Sequence, residues 1–109
     1  MSTCLRHYIL TAETATQTLN FGSNIFSAYF RCPITNTGFV YVMIDQAPCN
    51  ATEGTSLGAG ETLSIDIGQA LQVIAQRGET ITQDKFIRFI SYNASAAAQT
   101  LTLEVLEWV

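Results

Sequence analysis

The side chains able to do chemistry are few and scattered. His7 is the sole imidazole. A Ser–His or Cys–His nucleophile pair would have to be built on the N-terminal segment, and no Gly-x-Ser-x-Gly elbow presents a serine. Cys4, Cys32 and Cys49 form an odd set without a Cys-x-x-Cys pair, whereas secreted disulfide scaffolds show even sets. A zinc site made from the three thiols needs a fourth ligand, and the three-residue spacing of Cys4 and His7 is not specific for one. The thiols read as small buried or half-buried side chains.

The carboxylates are no better placed. Glu61 and Asp66 lie five residues apart in an alternating segment, so they fall on opposite faces. Asp45 and Glu53 flank a long loop without the spaced Asp/Asn/Gly pattern of a calcium loop. "GAGETL" places Gly58 and Gly60 as in a dinucleotide fingerprint, but Leu63 stands at the third glycine. No helix follows to aim N–H groups at a phosphate, and the glycines read as a turn launching a strand. Asn50-Ala-Thr and Asn93-Ala-Ser match a glycosylation sequon that is frequent by chance. Tyr29, Tyr41, Tyr92 and Trp108 could stack on a sugar, although strand aromatics more often fill cores and interfaces. No catalytic, cofactor-binding or metal-binding residue is singled out, no cofactor is expected, and the chain reads as a non-enzyme.

The composition fits that reading. The 109 residues suffice for one domain spanning 1–109, with 48% hydrophobic residues to fill a core. Only 13% are charged, about half the usual quarter of residues. A surface so poor in charge reads either as a neutral β-protein surface or as one that other subunits largely cover, and the apolar pattern below favours the second. The net charge is −4, and Arg6, Arg31, Arg77, Lys85 and Arg88 are dispersed. Phosphate recognition wants clustered cations, so neither nucleic acid nor an anionic membrane is expected as a partner. No apolar run approaches the roughly 20 residues of a membrane span. "MSTCLRHYIL" lacks a signal-peptide core and cleavage site, which gives the expectation of cytoplasmic synthesis without Sec export.

Alternation dominates the elements that must carry these residues. "CLRHYIL" (4–10) reads as an edge-type strand. In "TATQTLNF" (14–21), Leu19 and Phe21 share a face opposite the threonines; "NFGSN" (20–24) reads as a turn, and "IFSAYFRC" (25–32) as the next strand. "FVYVMID" (39–45) is apolar on both faces, Phe39, Tyr41 and Met43 against Val40, Val42 and Ile44, so its second face needs a neighbouring loop or another subunit. Residues 46–60 form a long loop, and "ETLSIDI" (61–67) alternates with Leu63, Ile65 and Ile67 inward. In "GQALQVIAQRG" (68–78), Leu71 and Ile74 fit helical spacing while Leu71, Val73 and Ala75 fit strand spacing; the β context favours a strand. "DKFIRFISYN" (84–93) sets Phe86, Arg88, Ile90 and Tyr92 on one face. In "TLTLEVLEWV" (100–109) the apolar phase shifts to Leu106 and Trp108, which predicts a bulge or a twist. About eight short strands separated by turns predict an all-β, antiparallel sandwich or jelly-roll-like domain.

Four stretches together resemble the small virion proteins of tailed bacteriophages of the capsid decoration, or cement, type. They are "NTGFVYV" (36–42), "LGAGETLSI" (57–65), "LQVIAQRG" (71–78) and "LTLEVLEW" (101–108). The resemblance covers residues 36 to 108, and residues 1–35 would be an added arm or extra strands. It implies a noncatalytic, often homotrimeric protein that is assembled in the host cytoplasm, sits on the capsid surface of the virion and braces subunits of the major capsid protein. Phe39, Tyr41, Met43, Phe86, Arg88, Tyr92 and Trp108 are the candidate subunit interface. A neck or tail-associated structural role, or a carbohydrate- or receptor-binding module, is the alternative.

Overall fold

The computed structural model describes residues 3–47, 49 and 53–108. Its elements run β1 (Thr3–Ala12), β2 (Gln17–Arg31), β3 (Val40–Ile44), β4 (Thr55–Leu57), β5 (Thr62–Asp66), α1 (Gly68–Gln76), a 3₁₀ turn (Gln83–Lys85), β6 (Ile87–Ala94) and β7 (Gln99–Trp108). The fold is all-β, with seven antiparallel strands in the order β1-β7-β2-β6-β3-β4 and β5 added on β2. Residues 3–31 are not a detached arm, because β1 and β2 are integral members of this sheet.

The fifteen-residue β2 organises everything. Residues 17–20 pair with β6, while residues 27–31 lie between β7 and β5. The strand thus belongs to two half-sheets, and Ala28 and Phe30 of one half share a core cluster with Val40, Val42, Ile90 and Tyr92 of the other. The predicted turn at 20–24 is instead the bend inside this strand. Between Asn20↔Phe89 and Ile25↔Ile87, β2 has four residues where β6 has one. Extra residues on one strand of a pair raise its local twist and bend it. The bulge expected in the last strand also lies in β2. From Ala12↔Gln99 to Thr3↔Trp108, β7 runs against β1 without a break, and the shift falls between Ile25 and Ser27. Leu106 and Trp108 simply point outward.

Residues 68–78 are the second correction, for they form helix α1 and not a strand. A strand would put Val73 inside with Leu71, but Leu71 is buried and Val73 is 42% exposed. The Asp66 carboxylate accepts the Gly68 N–H at 2.7 Å at the helix start. At the other end the Gly78 N–H donates to the Ala75 carbonyl and the Glu79 N–H to the Ile74 carbonyl, with Gly78 at φ +78. This double bond around a left-handed glycine is the Schellman termination.

Candidate functional site

Alternation assigns each residue of the β1-β7-β2-β5 half to a face. Tyr8 and Leu10 stand inward, paired with Leu103 and Leu101, while Leu5, His7 and Ile9 point outward. The β7 residues Thr102, Glu104 and Leu106 share that outer face, followed across the sheet by Tyr29 on β2 and Ser64 on β5. The result is an open sheet face with apolar side chains in solvent: Ile9 is 73% exposed, Leu5 61% and Tyr29 37%. Its polar members are mainly serine and threonine. His7 Nδ1 lies 3.5 Å from Glu104 Oε1, the one acid–base contact on this face among the described residues. Behind it, the Arg6 guanidinium donates to Glu107 at 2.6 Å. That bond holds the Glu107 carboxyl below its ordinary range and raises Arg6 above its own.

Beside this face, at the Trp108 end, the surface is concave. Phe26 is the residue that the β2 shift leaves over, and its carbonyl accepts the Ile67 N–H at 2.9 Å where α1 begins. A cleft of about 230 Å³ lies between Phe26, Leu71, Gln72 and Trp108. A second, of about 450 Å³, is lined by Asn24, Glu79, Ile81, Phe86 and Trp108. The Phe86 and Trp108 rings meet edge to face with centroids 5.7 Å apart. An apolar wall facing an amide and a carboxylate could take a small polar ligand with one apolar side, such as a sugar ring.

The candidate interface residues are dispersed. Phe39 is 49% exposed, beside the Gly58 turn, and Tyr41 and Met43 are half-buried on the outer face of the other half-sheet. Part of the cover they need comes from the chain's own long loop. Ser91, opposite Met43, donates its hydroxyl to the Gln46 carbonyl, and Thr16 donates to the Cys49 carbonyl at 2.9 Å. Phe86 and Tyr92 are buried inside this chain, Tyr92 in the main core, and so offer little surface to a partner. Arg88 is exposed and Trp108 half-exposed.

The remaining chemical candidates are bound up in structure. Gly58 N–H donates to the Glu61 carboxylate at 2.7 Å, Gly60 N–H to the Cys32 carbonyl and Glu61 N–H to the Gly58 carbonyl. The Gly58 and Gly60 N–H groups are therefore taken up by the turn and by Cys32, with Gly60 at φ +79. Asp45 takes the Arg88 and Phe89 N–H groups at 2.8 and 3.0 Å. Cys32 and Cys49 are buried, which pushes both thiols up, and Cys4 is exposed. No cluster of three or more metal-ligating side chains occurs among the described residues. Asn50 of the first sequon and the residues after it lie outside the described residues, as does Val109.

Sequence reasoning missed Leu5 and Ile9 as surface candidates, and named Tyr29 only as an aromatic that could stack on a sugar. The β-rich run at 4–10 was visible as an edge-type strand, but its outward set is identified only once β7 is known to be its partner. No protein-family profile, curated protein or solved structure matches this chain.

Proposed function

We propose that this chain is a noncatalytic structural protein of a virion, which decorates the head of a tailed bacteriophage and bridges subunits of its major capsid protein. The observation that carries the assembly part is the open β1-β7-β2 face, where Leu5, Ile9 and Tyr29 stand in solvent beside a long strand edge. Apolar side chains grouped on one face mark a surface that a partner covers. The low charge content supports the same reading. The phage setting rests on the resemblance in residues 36 to 108. On a head the contact repeats many times, so modest affinity at each site suffices through avidity.

The test is co-sedimentation with expanded heads of the phage that encodes the chain. Saturable binding at a fixed ratio to the capsid protein, lost in Leu5→Asp/Tyr29→Asp, is the expected result. Failure to bind any virion part ends the reading. A second reading, a sugar- or receptor-binding module, is favoured by the Trp108 clefts. It is measured by glycan-array binding and quenching of Trp108, the only tryptophan.

A further inference from the structure

The β1 strand is a ten-residue edge, pairing with β7 alone among the described residues. Every second residue of such an edge turns its N–H and C=O away from the sheet, ready to pair with another strand. Edges that stay single are guarded by shortness, proline, bulges or lysines. The opposite edge strand β4 has three residues and β5 has five. "TCLRHYILTA" has no proline, glycine or lysine, and its register with β7 is unbroken. Its one permanent charge, Arg6, is already held by Glu107.

We infer that β1 pairs antiparallel with β1 of a second copy, about a two-fold axis at His7, making one continuous sheet across a dimer. The register follows from geometry. Residues directly opposite in an antiparallel pair share a face, so a two-fold axis normal to the sheet sets odd-numbered residues against odd-numbered ones. Centring the axis on Arg6 would put two arginines together. Centring it on Tyr8 would set Leu5 against Thr11 and Arg6 against Leu10. Centred on His7, Leu5 of each copy meets Ile9 of the other, twice per dimer, and Thr3 meets Thr11. On the inner side Arg6 meets the ring of Tyr8, a contact that suits a cation. The two imidazoles meet between two Glu104 carboxylates, one from each copy, each beside its own His7. The two exposed apolar residues on the outer face of β1 thus cover each other.

The overlap spans residues 3–11 of each copy, and an interface of order 1,000 Å² in total is at the small end for specific association. Dissociation in the micromolar range is expected. The inference goes beyond the decoration reading and does not need it: dimers that ignore phage heads would end that reading and leave this one intact.

The test uses the full chain under reducing conditions in sedimentation equilibrium, with cysteine scanning for register. The expected result is a concentration-dependent dimer of the 11.9 kDa chain. In a Cys4→Ser background, His7→Cys should cross-link to itself under mild oxidation, whereas Thr3→Cys alone should not, because two Thr3 residues lie about 27 Å apart in this register. Ile9→Lys should weaken the dimer about tenfold or more through its two copies of the Leu5 contact. Ile9 is solvent-exposed, so this variant should melt as the wild-type monomer does. A monomer at all concentrations, a trimer, or a dimer that cross-links at Thr3 and not at His7 overturns the inference. A monomer that gains a strand only on a capsid-derived segment would assign the edge to that partner instead.

Discussion

Asp45 offers the sharpest test of how this chain uses its polar residues. It stands at φ 55, where an ordinary side chain is strained, and its carboxylate oxygen accepts two N–H groups of β6. The Asp45 N–H returns a bond to the Phe89 carbonyl at 3.0 Å. Three substitutions separate these effects. Asp45→Ala removes the acceptor and places a methyl in the left-handed region, a strain of about 1–2 kcal/mol. Of the two N–H groups left behind, that of Arg88 is exposed and water replaces its partner. That of Phe89 is partly buried, and losing a charged acceptor there amounts to about 1–2 kcal/mol. Asp45→Ala should therefore lose about 2–4 kcal/mol. Asp45→Gly relieves the strain and should recover about 1 kcal/mol of that loss. Asp45→Asn keeps an acceptor and tolerates the backbone, so its loss should be about 1 kcal/mol. Urea unfolding at pH 7 measures the series, and each kcal/mol corresponds to a melting shift of roughly 4 °C or more in a domain of this size. Equal losses for Gly and Ala would refute the strain argument, and three wild-type stabilities would refute the clamp. Because the carboxylate already serves the backbone, millimolar calcium should leave the melting temperature unchanged.

Neighbouring residues on opposite faces should differ widely. Phe30→Ala, fully buried, should lose about 3–5 kcal/mol, while Tyr29→Ala, on the open face, should lose under about 1 kcal/mol; urea unfolding checks both. Gly78→Ala should destabilise by about 1 kcal/mol because its φ is +78. Gly22→Ala, where an added methyl meets nothing within 4 Å, should gain about 0.4–1 kcal/mol. The pH dependence follows from Glu107. Its folded pKa is depressed by Arg6, so its stabilisation is full above the unfolded carboxylate value and disappears as pH falls through the lower folded value. Melting temperatures between pH 7 and 2.5 should fall less steeply through that acid window in Glu107→Gln than in wild type.

Period-two patterning made β5 and β7 legible, because each has one covered face, while β1, β3 and β6 were legible as β-rich apolar runs bounded by turns. It failed where the deciding information was distant or lay in a cap. "NFGSN" has the residues of a hairpin turn, and the same residues allow a bend; which one forms depends on β6 pairing across it. Residues 68–78 are ambiguous by period, but Arg77-Gly78 is a helix-stop signal that could have settled them. The inward face of β6 was hidden because both of its faces are apolar. Tyr92 turned out to belong to the core, and Phe86 precedes the strand and backs Trp108. The site was less legible still: the edge character of 4–10 was read from the sequence and holds in β1, but which of its residues face outward follows only from the pairing with β7.

The two half-sheets treat their outer faces differently, and this changes where assembly is to be sought. Strand β3 is apolar on both sides, yet Ser91 beside it is buried, and the loop carbonyls of Gln46 and Cys49 accept the hydroxyls of Ser91 and Thr16. Its second face is therefore partly closed within one copy. The β1-β7 face has no such loop among the described residues, and its apolar side chains stay open. Charge placed on the two faces should accordingly have opposite consequences. Tyr41→Asp puts a carboxylate into a half-covered site and should lower stability by about 1–3 kcal/mol without a specific effect on association. Leu5→Asp should leave stability within about 0.5 kcal/mol and impair association. Measuring melting temperature and sedimentation on the same two variants distinguishes the faces, and a Tyr41→Asp protein of normal stability that fails to associate would return the interface to β3.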